Sequence, residues 1–206
     1  MNSTLEYIGE KFKLDLQKRP PIEIEEADRL IMASLLQELD FQVGAEIGVA
    51  RGQHAEILCE ANPGLKLYCV DIWEDYPGYH EYEKKNKRYY RDAQKRLAQY
   101  NCELIKDFSE NAAKSFDDNS LDFVYIDAAH DFKNVAIDIC EWSKKVKVGG
   151  IVYGHDFVRR YRKYVVQVKD VVQAYMYSHA IKPWFALDKR RRSWMFVRQD
   201  TDRMRT

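Results

Sequence analysis

Two acids and two glycines early in the chain are spaced like the residues of a nucleotide-binding turn. A short apolar run leads into Glu46-Ile-Gly48-Val-Ala50-Arg-Gly52, and Asp71 closes the next apolar run. Glycines at such a turn let the backbone pass close to a ligand, and the N–H groups that open the following helix can bind it. A carboxylate at the end of the next strand can accept hydrogen bonds from both hydroxyls of a ribose. The spacing therefore predicts a site for an adenosine-containing cofactor.

A second set of polar residues follows two later apolar runs. Asp127 closes the run 121–127, and His155 and Asp156 follow the run 151–153. We expect these two runs to be neighbouring strands, so their polar residues should meet at one edge of a sheet. Two carboxylates together with waters can bind a hard divalent cation such as Mg²⁺. The second set therefore predicts the place where chemistry occurs.

The elements that must position these residues alternate between strands and helices. Five apolar runs have the length of strands and are separated by helical periodicity: 43–49, 65–71, 103–105, 121–127 and 151–153. Two more, 181–187 and 193–197, are joined by a basic turn that is too short for a crossover helix, so they must be antiparallel. We predict an α/β, doubly wound, Rossmann-like fold with helices on both faces. Its seven-stranded sheet is mostly parallel and ends in an antiparallel C-terminal hairpin.

No linker divides the chain. Helical periodicity from Ala27 to Leu39 follows a polar opening, so we assign residues 1–40 to an N-terminal cap segment with its helix. Residues 41–206 form the cofactor-binding domain, and the whole chain makes one compact domain. One face of a further helix is marked by apolar residues from 135 to 146, and we expect this helix to end in the turn Val148-Gly-Gly150.

The order of these motifs resembles that of class I S-adenosylmethionine (SAM)-dependent methyltransferases, and most closely the small single-domain enzymes of methyltransferase family 24. The turn from Glu46 to Gly52 is similar to their acid-x-Gly-x-Gly-x-Gly motif, 148–150 to their Pro-Gly-Gly sequence, and the closing hairpin to their C-terminal strands. The resemblance implies SAM as cofactor. The residues that it implies for SAM binding are Glu46, Gly48, Ala50, Gly52, Asp71, Ile72, Asp107, Phe108, Ser109 and Asp127.

The resemblance also implies catalytic roles. Several O-methyltransferases of this superfamily place a divalent cation at this edge, so Asp127, His155 and Asp156 are the predicted metal ligands. Asp127, His130 and His155 are the predicted catalytic residues, with either histidine as general base. His130 has a structural alternative, which is to cap the helix that begins near Asp131. The imidazole of His155 favours Mn²⁺ or another transition metal over Mg²⁺.

Ala50 departs from the family pattern, which has glycine at this position. A turn lined by backbone tolerates alanine if its φ stays negative. A dinucleotide would tolerate it less, because its pyrophosphate must lie against the turn. This difference favours SAM over NAD.

We predict methyl transfer from SAM to the hydroxyl of a small molecule or glycan. Three alternatives stay open: an RNA or DNA methyltransferase, a dinucleotide oxidoreductase and a non-catalytic SAM-binding protein. Two basic clusters could dock nucleic acid, formed by Arg159, Arg160, Arg162 and Lys163, and by Lys189 to Arg192. The balance of 33 basic and 33 acidic side chains argues against that alternative.

The rest of the sequence bears on the cellular location and the partners of the protein. No secretory signal opens the chain, and no apolar stretch approaches the roughly 20 residues that span a bilayer, so we expect a cytoplasmic protein without membrane contact. The four scattered cysteines are expected to be reduced. We expect the aromatic segment from Trp73 to Tyr90, which includes Tyr79, His80 and Tyr82, to border the acceptor pocket or support a homodimer.

Overall fold

The computed structural model of the protein describes residues 3–75, 84–161, 164–190 and 192–200, and only the backbone of residues 160, 161 and 164. Some sequence predictions fall on other residues. Those outside the described residues are Tyr79, His80, Tyr82, Arg162, Lys163 and Arg191, together with the side chain of Arg160.

Seven helices and ten strands make up the described part of the chain. The helices are α1 (Thr4–Lys11), α2 (Arg29–Glu38), α3 (Gln53–Ala61), α4 (Asn86–Leu97), α5 (Ser109–Ala113), α6 (Phe132–Lys145) and α7 (Val168–Ser178). The strands are β1 (Ile22–Ile24), β2 (Val43–Ile47), β3 (Lys66–Asp71), β4 (Cys102–Lys106), β5 (Leu121–Ile126), β6 (Val146–Gly154), β7 (Arg160–Tyr161), β8 (Tyr164–Val165), β9 (Phe185–Leu187) and β10 (Ser193–Val197).

The main sheet has the strand order β1-β9-β10-β6-β5-β2-β3-β4. Strands β4, β3, β2, β5 and β6 are parallel, and β10 is antiparallel to both β6 and β9. The doubly wound α/β fold and the closing hairpin are therefore confirmed. The predicted number of seven strands is wrong by one, because Ile22–Ile24 adds an eighth strand parallel to β9. Three residues are too few to show a strand periodicity in the sequence.

The sheet separates two apolar cores. Successive side chains of a strand point to opposite faces, so Phe123 and Tyr125 of β5 pack on one core while Val124 and Ile126 pack on the other. Helices α1 to α4 contribute buried residues to the first core, and α5 to α7 contribute to the second. Both faces of the sheet are covered, as the alternation of strands and helices predicts.

The segment 1–40 packs onto the first of these cores. Ile8 of α1, Ile24 of β1 and Leu35 of α2 are buried in the same cluster as Phe123. The helix expected in this segment is α2, and Asp28 caps it by accepting hydrogen bonds from two backbone N–H groups.

Two predicted helix boundaries need correction. The helix expected to continue through Val146 ends at Lys145, since Val146 already pairs with β5 as the first residue of β6. Asp131, rather than His130, caps this helix, because the Asp131 side chain accepts from Asn134 N–H (3.2 Å). β-branched Val146 is buried in the sheet, where it packs better than in a last helical turn.

Two other observations bear on the setting. The four cysteines are free thiols, as the sequence led us to expect. In the part of the chain that the structure describes, the helices are too short or too polar to cross a membrane.

Candidate active site

The candidate site lies at the carboxyl edge of the sheet, where the order of the strands reverses. The chain runs outward from β2 to β3 and β4, then returns to the other side of β2 as β5. Backbone hydrogen bonds continue the ladder past the strand ends: Gly48 donates to β3 (2.9 Å), Asp127 to β2 (2.8 Å) and His155 to β5 (3.1 Å). Ligands of open α/β sheets bind in this crevice. Both sets of polar residues found in the sequence therefore meet there.

Gly48 makes the closest approach in the turn. A Cβ atom at this position would lie 2.2 Å from the Asp127 carbonyl oxygen, and its φ is +92°. Gly52 begins α3 as its N-cap in the left-handed conformation, with φ +74°. Both glycines are needed for the turn that the motif predicts.

Ala50 corrects one sequence expectation. Its φ is +48°, not negative, so this alanine adopts a conformation that costs an L-residue roughly 1 kcal/mol. Two hydrogen bonds hold it: the Ala50 N–H donates to Asp71 Oδ2 (2.8 Å), and the Ala50 carbonyl accepts from Trp73 Nε1 (2.7 Å). Trp73 is fully buried and lies just after β3. The sequence did not identify it as part of this turn.

Asp71 is fixed by backbone donors. Besides Ala50, the Trp73 N–H donates to Asp71 Oδ1 (2.8 Å). Burial raises the pKa of Asp71, and the backbone N–H groups around it, including that of Ile72, oppose the rise. An ionised carboxylate has about four acceptor positions, so two remain for the hydroxyls of a ribose.

Glu46 lies fully buried at the end of β2 and faces a histidine. His54 of α3 places its Nδ1 3.4 Å from Glu46 Oε2, and its ring stacks on Tyr125 at 3.9 Å between centroids. Burial raises the pKa of Glu46, although His54 opposes the rise. Sequence reasoning missed His54, because a histidine in the first turn of a helix has no motif of its own.

Three of the predicted SAM-binding residues, Asp107, Phe108 and Ser109, come directly after β4. Asp107 and Phe108 are exposed there. The Ser109 hydroxyl accepts from the Trp142 indole N–H (2.8 Å), which turns this side chain toward α6. A role for all three in cofactor binding stays a prediction.

Carboxylates and imidazoles alternate on the other side of the crevice. His130 Nε2 lies 2.8 Å from Asp156 Oδ2, and His155 Nδ1 lies 3.1 Å from Asp156 Oδ1. His155 Nδ1 is 3.9 Å from Asp127 Oδ1. Each of the four side chains is between 20% and 23% exposed, so a ligand can reach them from solvent. The structure thus brings together all four predicted residues.

The grouping of these side chains differs from the predicted metal set. Ligand atoms of Asp127, His130 and Asp156 all lie within 4.8 Å of one another. His130 therefore occupies the place that the sequence suggested for His155, and His155 flanks the group. Backbone strain accompanies the cluster, since Asp156 has a φ of +52°.

Electrostatics link the cluster into one unit. Burial alone would raise the pKa of Asp156, but its hydrogen bonds with His130 and His155 hold the pKa below its usual range. Tyr125 donates to Asp127 Oδ2 (3.1 Å), and Arg29 lies 3.4 Å from the same oxygen. Arg29 and Tyr125 were not among the predicted site residues, and Arg29 lies far from any motif in the sequence.

The loop after β6 and the closing hairpin carry the described residues of the two basic clusters, and the two segments are in contact near this edge. The Phe157 N–H donates to the Arg192 carbonyl (2.7 Å), which joins the loop after β6 to the closing hairpin. Arg159 is paired with Asp170 (2.8 Å), whereas Lys189 and Arg190 are exposed. Their role in docking nucleic acid stays a prediction.

Comparison with known proteins agrees with this geometry. The family model described as a methyltransferase domain matches residues 45–157, which is more than half of the chain. None of the curated proteins matches this sequence closely enough to count as a relative.

Several solved structures share the fold. A provisionally assigned caffeoyl-CoA O-methyltransferase from Staphylococcus aureus has a TM-score of 0.62 at 15% identity, over 96% of this chain and 93% of that one. The O-methyltransferase TomG from Streptomyces achromogenes, solved with SAM, has a TM-score of 0.59 at 15% identity, over 96% and 91%. An O-methyltransferase from Bacillus cereus, solved with SAH, has a TM-score of 0.57 at 16% identity, over 96% and 92%.

The family match begins inside β2 and ends just after Asp156, so it contains the glycine turn, Asp71 and the cluster of carboxylates and imidazoles. The chain therefore belongs to the methyltransferase domain family and is a SAM-dependent methyltransferase with the class I fold.

Proposed function

We propose that this protein transfers the methyl group of SAM to a hydroxyl of a small molecule or glycan, with the assistance of a divalent cation. The observation that carries the proposal is the group formed by Asp127, His130 and Asp156, whose ligand atoms lie within 4.8 Å of one another at the same sheet edge as the glycine turn. Two carboxylates and an imidazole beside a methyl donor suit the activation of a hydroxyl oxygen.

The cofactor side of the proposal uses the turn and the acid after β3. Gly48 allows the adenosyl group to lie against the backbone, because any side chain at this position would meet the Asp127 carbonyl. Asp71 has acceptor positions left for the ribose hydroxyls after binding two backbone N–H groups. Glu46 would receive the cofactor's ammonium group.

The donor set fits a divalent cation of intermediate hardness. Ligand atoms of one ion lie about 2.0–2.6 Å from it, so three ligands within 4.8 Å of one another can share it. Asp127, His130 and Asp156 would hold the cation, and the imidazole favours Mn²⁺ over Mg²⁺. When bound, such an ion would lower the pKa of an acceptor hydroxyl and fix its oxygen.

His155 is left as the proton acceptor in this arrangement. Its Nδ1 faces Asp156 (3.1 Å), which orients the ring. The acceptor oxygen attacks the methyl carbon, the carbon–sulfur bond breaks, and its electron pair returns to sulfur to leave SAH. The hydroxyl proton passes to His155. The protein mainly aligns oxygen, carbon and sulfur, because the sulfonium is already activated.

Calorimetric titration tests the cofactor. Wild-type protein is titrated with SAM, SAH and NAD, each with Mn²⁺ and with EDTA. We expect SAM and SAH to bind and NAD not to bind. Asp71→Ala should lower SAM affinity by about 100-fold, because it removes the ribose acceptor and leaves two backbone N–H groups unpaired. Unchanged SAM affinity in Asp71→Ala would refute this assignment.

An SAH-release assay tests the reaction. Polyhydroxylated aromatic compounds and sugars are offered as acceptors, with amine analogues of the same compounds as controls. Turnover of hydroxyl acceptors that is lost in EDTA and restored by Mn²⁺ supports the proposal. Turnover that EDTA leaves unchanged would exclude cation assistance and leave the histidine as base. SAM binding without turnover of any acceptor would favour the non-catalytic alternative.

A further inference from the structure

Arg29 reaches the candidate site from outside the segment that matches the family. It is the first residue of α2, and its Nη2 lies 3.4 Å from Asp127 Oδ2 at the mouth of the crevice. Its side chain is 46% exposed, so a ligand can reach it from solvent. The hydroxyl of Tyr125, which donates to the same Asp127 oxygen, lies beneath it.

Helix stability does not explain this arginine. The N-terminus of a helix carries partial positive charge, so a cation in the first turn is unfavourable. Asp28 already caps α2 by accepting from the N–H groups of Leu30 and Ile31. The contact with Asp127 is long for a charge-assisted hydrogen bond, which normally measures about 2.7–2.9 Å. The guanidinium of Arg29 therefore makes only a weak interaction with Asp127 Oδ2.

Several buried polar atoms lie deeper in the same crevice. Glu46 is 1% exposed and His54 is 6% exposed. Glu46 Oε2 has only His54 Nδ1 beside it, at 3.4 Å, while His54 Nε2 and the hydroxyl of buried Tyr153 lack a hydrogen bond to any described residue. Buried polar atoms without partners are costly unless a ligand or water supplies the missing hydrogen bonds. An ammonium group offers three donors to such a pocket.

The charges around the pocket are complementary to an amino acid zwitterion. Glu46 provides a buried carboxyl group on one side, and Arg29 provides a permanent positive charge on the other. Glu46 is paired with Tyr125 across β2 and β5, and the Tyr125 hydroxyl donates to the Asp127 oxygen that Arg29 contacts, so a short chain of neighbouring residues links the two groups. The methionyl end of SAM carries an ammonium and a carboxylate on one carbon atom, and it needs both partners within that span.

We infer that Arg29 binds the α-carboxylate of SAM while Glu46 binds the α-ammonium, which makes Arg29 a specificity-determining residue for the intact amino acid end of the cofactor. The inference rests on the proposed cofactor. On binding, the guanidinium exchanges its long contact with Asp127 for the carboxylate, and Asp127 becomes available on the acceptor side. An arginine fork suits a carboxylate better than a lysine, since it donates two parallel hydrogen bonds.

The test measures which ligands depend on Arg29. Wild type, Arg29→Met and Arg29→Lys are titrated with SAM, SAH, decarboxylated SAM and 5′-methylthioadenosine. Arg29→Met should weaken SAM and SAH by about 10- to 100-fold and change the two ligands without a carboxylate by less than about threefold. Arg29→Lys should fall between the two. Lys66→Met is the matched control, because Lys66 pairs with Glu103 at the amino end of β3, away from the site.

The outcomes separate the inference from the proposed function. Equal weakening of decarboxylated SAM would show that Arg29 only supports the structure, and unchanged SAM affinity in Arg29→Met would also overturn the inference. If wild type binds none of the four nucleosides, the proposed cofactor itself is wrong. If all four bind wild type and only those with a carboxylate depend on Arg29, both conclusions stand.

Discussion

The two sides of the crevice hold their charges in different ways. On the cofactor side, Asp71 is bonded to backbone N–H groups of Ala50 and Trp73, at 2.8 Å each. On the reaction side, Asp127 and Asp156 face other charged or titratable side chains instead, at distances from 2.8 Å to 3.9 Å. The first arrangement is fixed once the backbone is folded. The second can exchange partners when a cation, a cofactor or an acceptor arrives.

This difference indicates a division of work. A preorganised acceptor such as Asp71 costs little reorganisation when a ribose binds. A cluster of ionisable side chains can give up its mutual contacts for a metal or a proton, which a reaction requires. Substitutions that disrupt one side of the crevice without the other therefore test this division.

Gly48→Ala should disrupt the cofactor side most severely. The added Cβ would lie 2.2 Å from the Asp127 backbone oxygen at a φ of +92°, and neither backbone can yield cheaply. We expect a loss of at least about 4 kcal/mol in the free energy of unfolding, with no measurable SAM binding. Urea denaturation and calorimetry measure both.

Gly149→Ala is the matched control for Gly48→Ala. Gly149 also has a positive φ (+82°), but its nearest atom to a new Cβ is Thr4 Oγ1 at 3.8 Å. It should cost only about 1 kcal/mol and leave SAM binding intact. If the two variants were equally stable, the positive φ alone would explain the cost of alanine at position 48. The close contact with the Asp127 carbonyl would then add nothing to it.

Asp138 shows what burial does to a carboxylate that lacks the donors of Asp71. It lies on α6 and is 3% exposed; burial raises its pKa to about 7, and the Ser109 hydroxyl only partly opposes the rise. The folded state therefore favours the protonated acid, so stability is full below pH 4 and falls as pH rises through 7. The loss at pH 8 is at most about 4 kcal/mol, from a shift of about three pKa units.

Asp138→Asn isolates this contribution. The amide mimics the protonated acid, so the variant should be more stable than wild type at pH 8 and nearly equal to it at pH 4. Unfolding free energies from urea titration at pH 4, 6 and 8 measure the difference between the two proteins, in which the other titrating groups cancel. A difference that stays constant with pH would contradict the raised pKa.

Paired amide substitutions compare the two sides of the crevice directly. Asp71→Asn should weaken SAM by about 100-fold and leave Mn²⁺ binding unchanged, because its NH₂ cannot accept from a backbone N–H. Asp156→Asn should weaken Mn²⁺ by about 100-fold and change SAM by less than about threefold, because an amide is a weaker ligand than a carboxylate. Calorimetry with SAM and water-proton relaxation with Mn²⁺ measure the two affinities. Loss of both ligands in either variant would mean that the two sides do not act separately.

The same contrast explains how far sequence reasoning could reach. Gly48, Gly52 and Asp71 were identified because a backbone turn requires particular residues at a fixed spacing. The alternation of apolar runs was enough to predict the sheet and its closing hairpin, and only three-residue β1 was missed. Local backbone geometry leaves a signal in the local sequence.

The reaction side depends on contacts between distant segments. Arg29 meets Asp127 across 98 positions, from the first turn of α2 to the residue that follows β5. The sequence showed that His130 and Asp156 follow adjacent strands, but not that their side chains meet at 2.8 Å. Side-chain direction and helix packing decide such contacts, and a single sequence contains no pattern for them.

Ala50→Gly should have the smallest effect and test whether the backbone alone makes the cofactor side. Glycine relieves the left-handed strain at φ +48° and keeps the N–H that donates to Asp71, but it also gains freedom in the unfolded chain. These two contributions are each about 1 kcal/mol, so the free energy of unfolding should change by less than about 1 kcal/mol. SAM affinity should stay within about twofold, since no side-chain contact is lost. Ala50→Val provides the contrast, because a β-branched residue is poorly tolerated at positive φ and should destabilise the turn. A large loss of SAM affinity in Ala50→Gly would show that the alanine methyl itself contacts the cofactor, and the cofactor side would then depend on a side chain as the reaction side does.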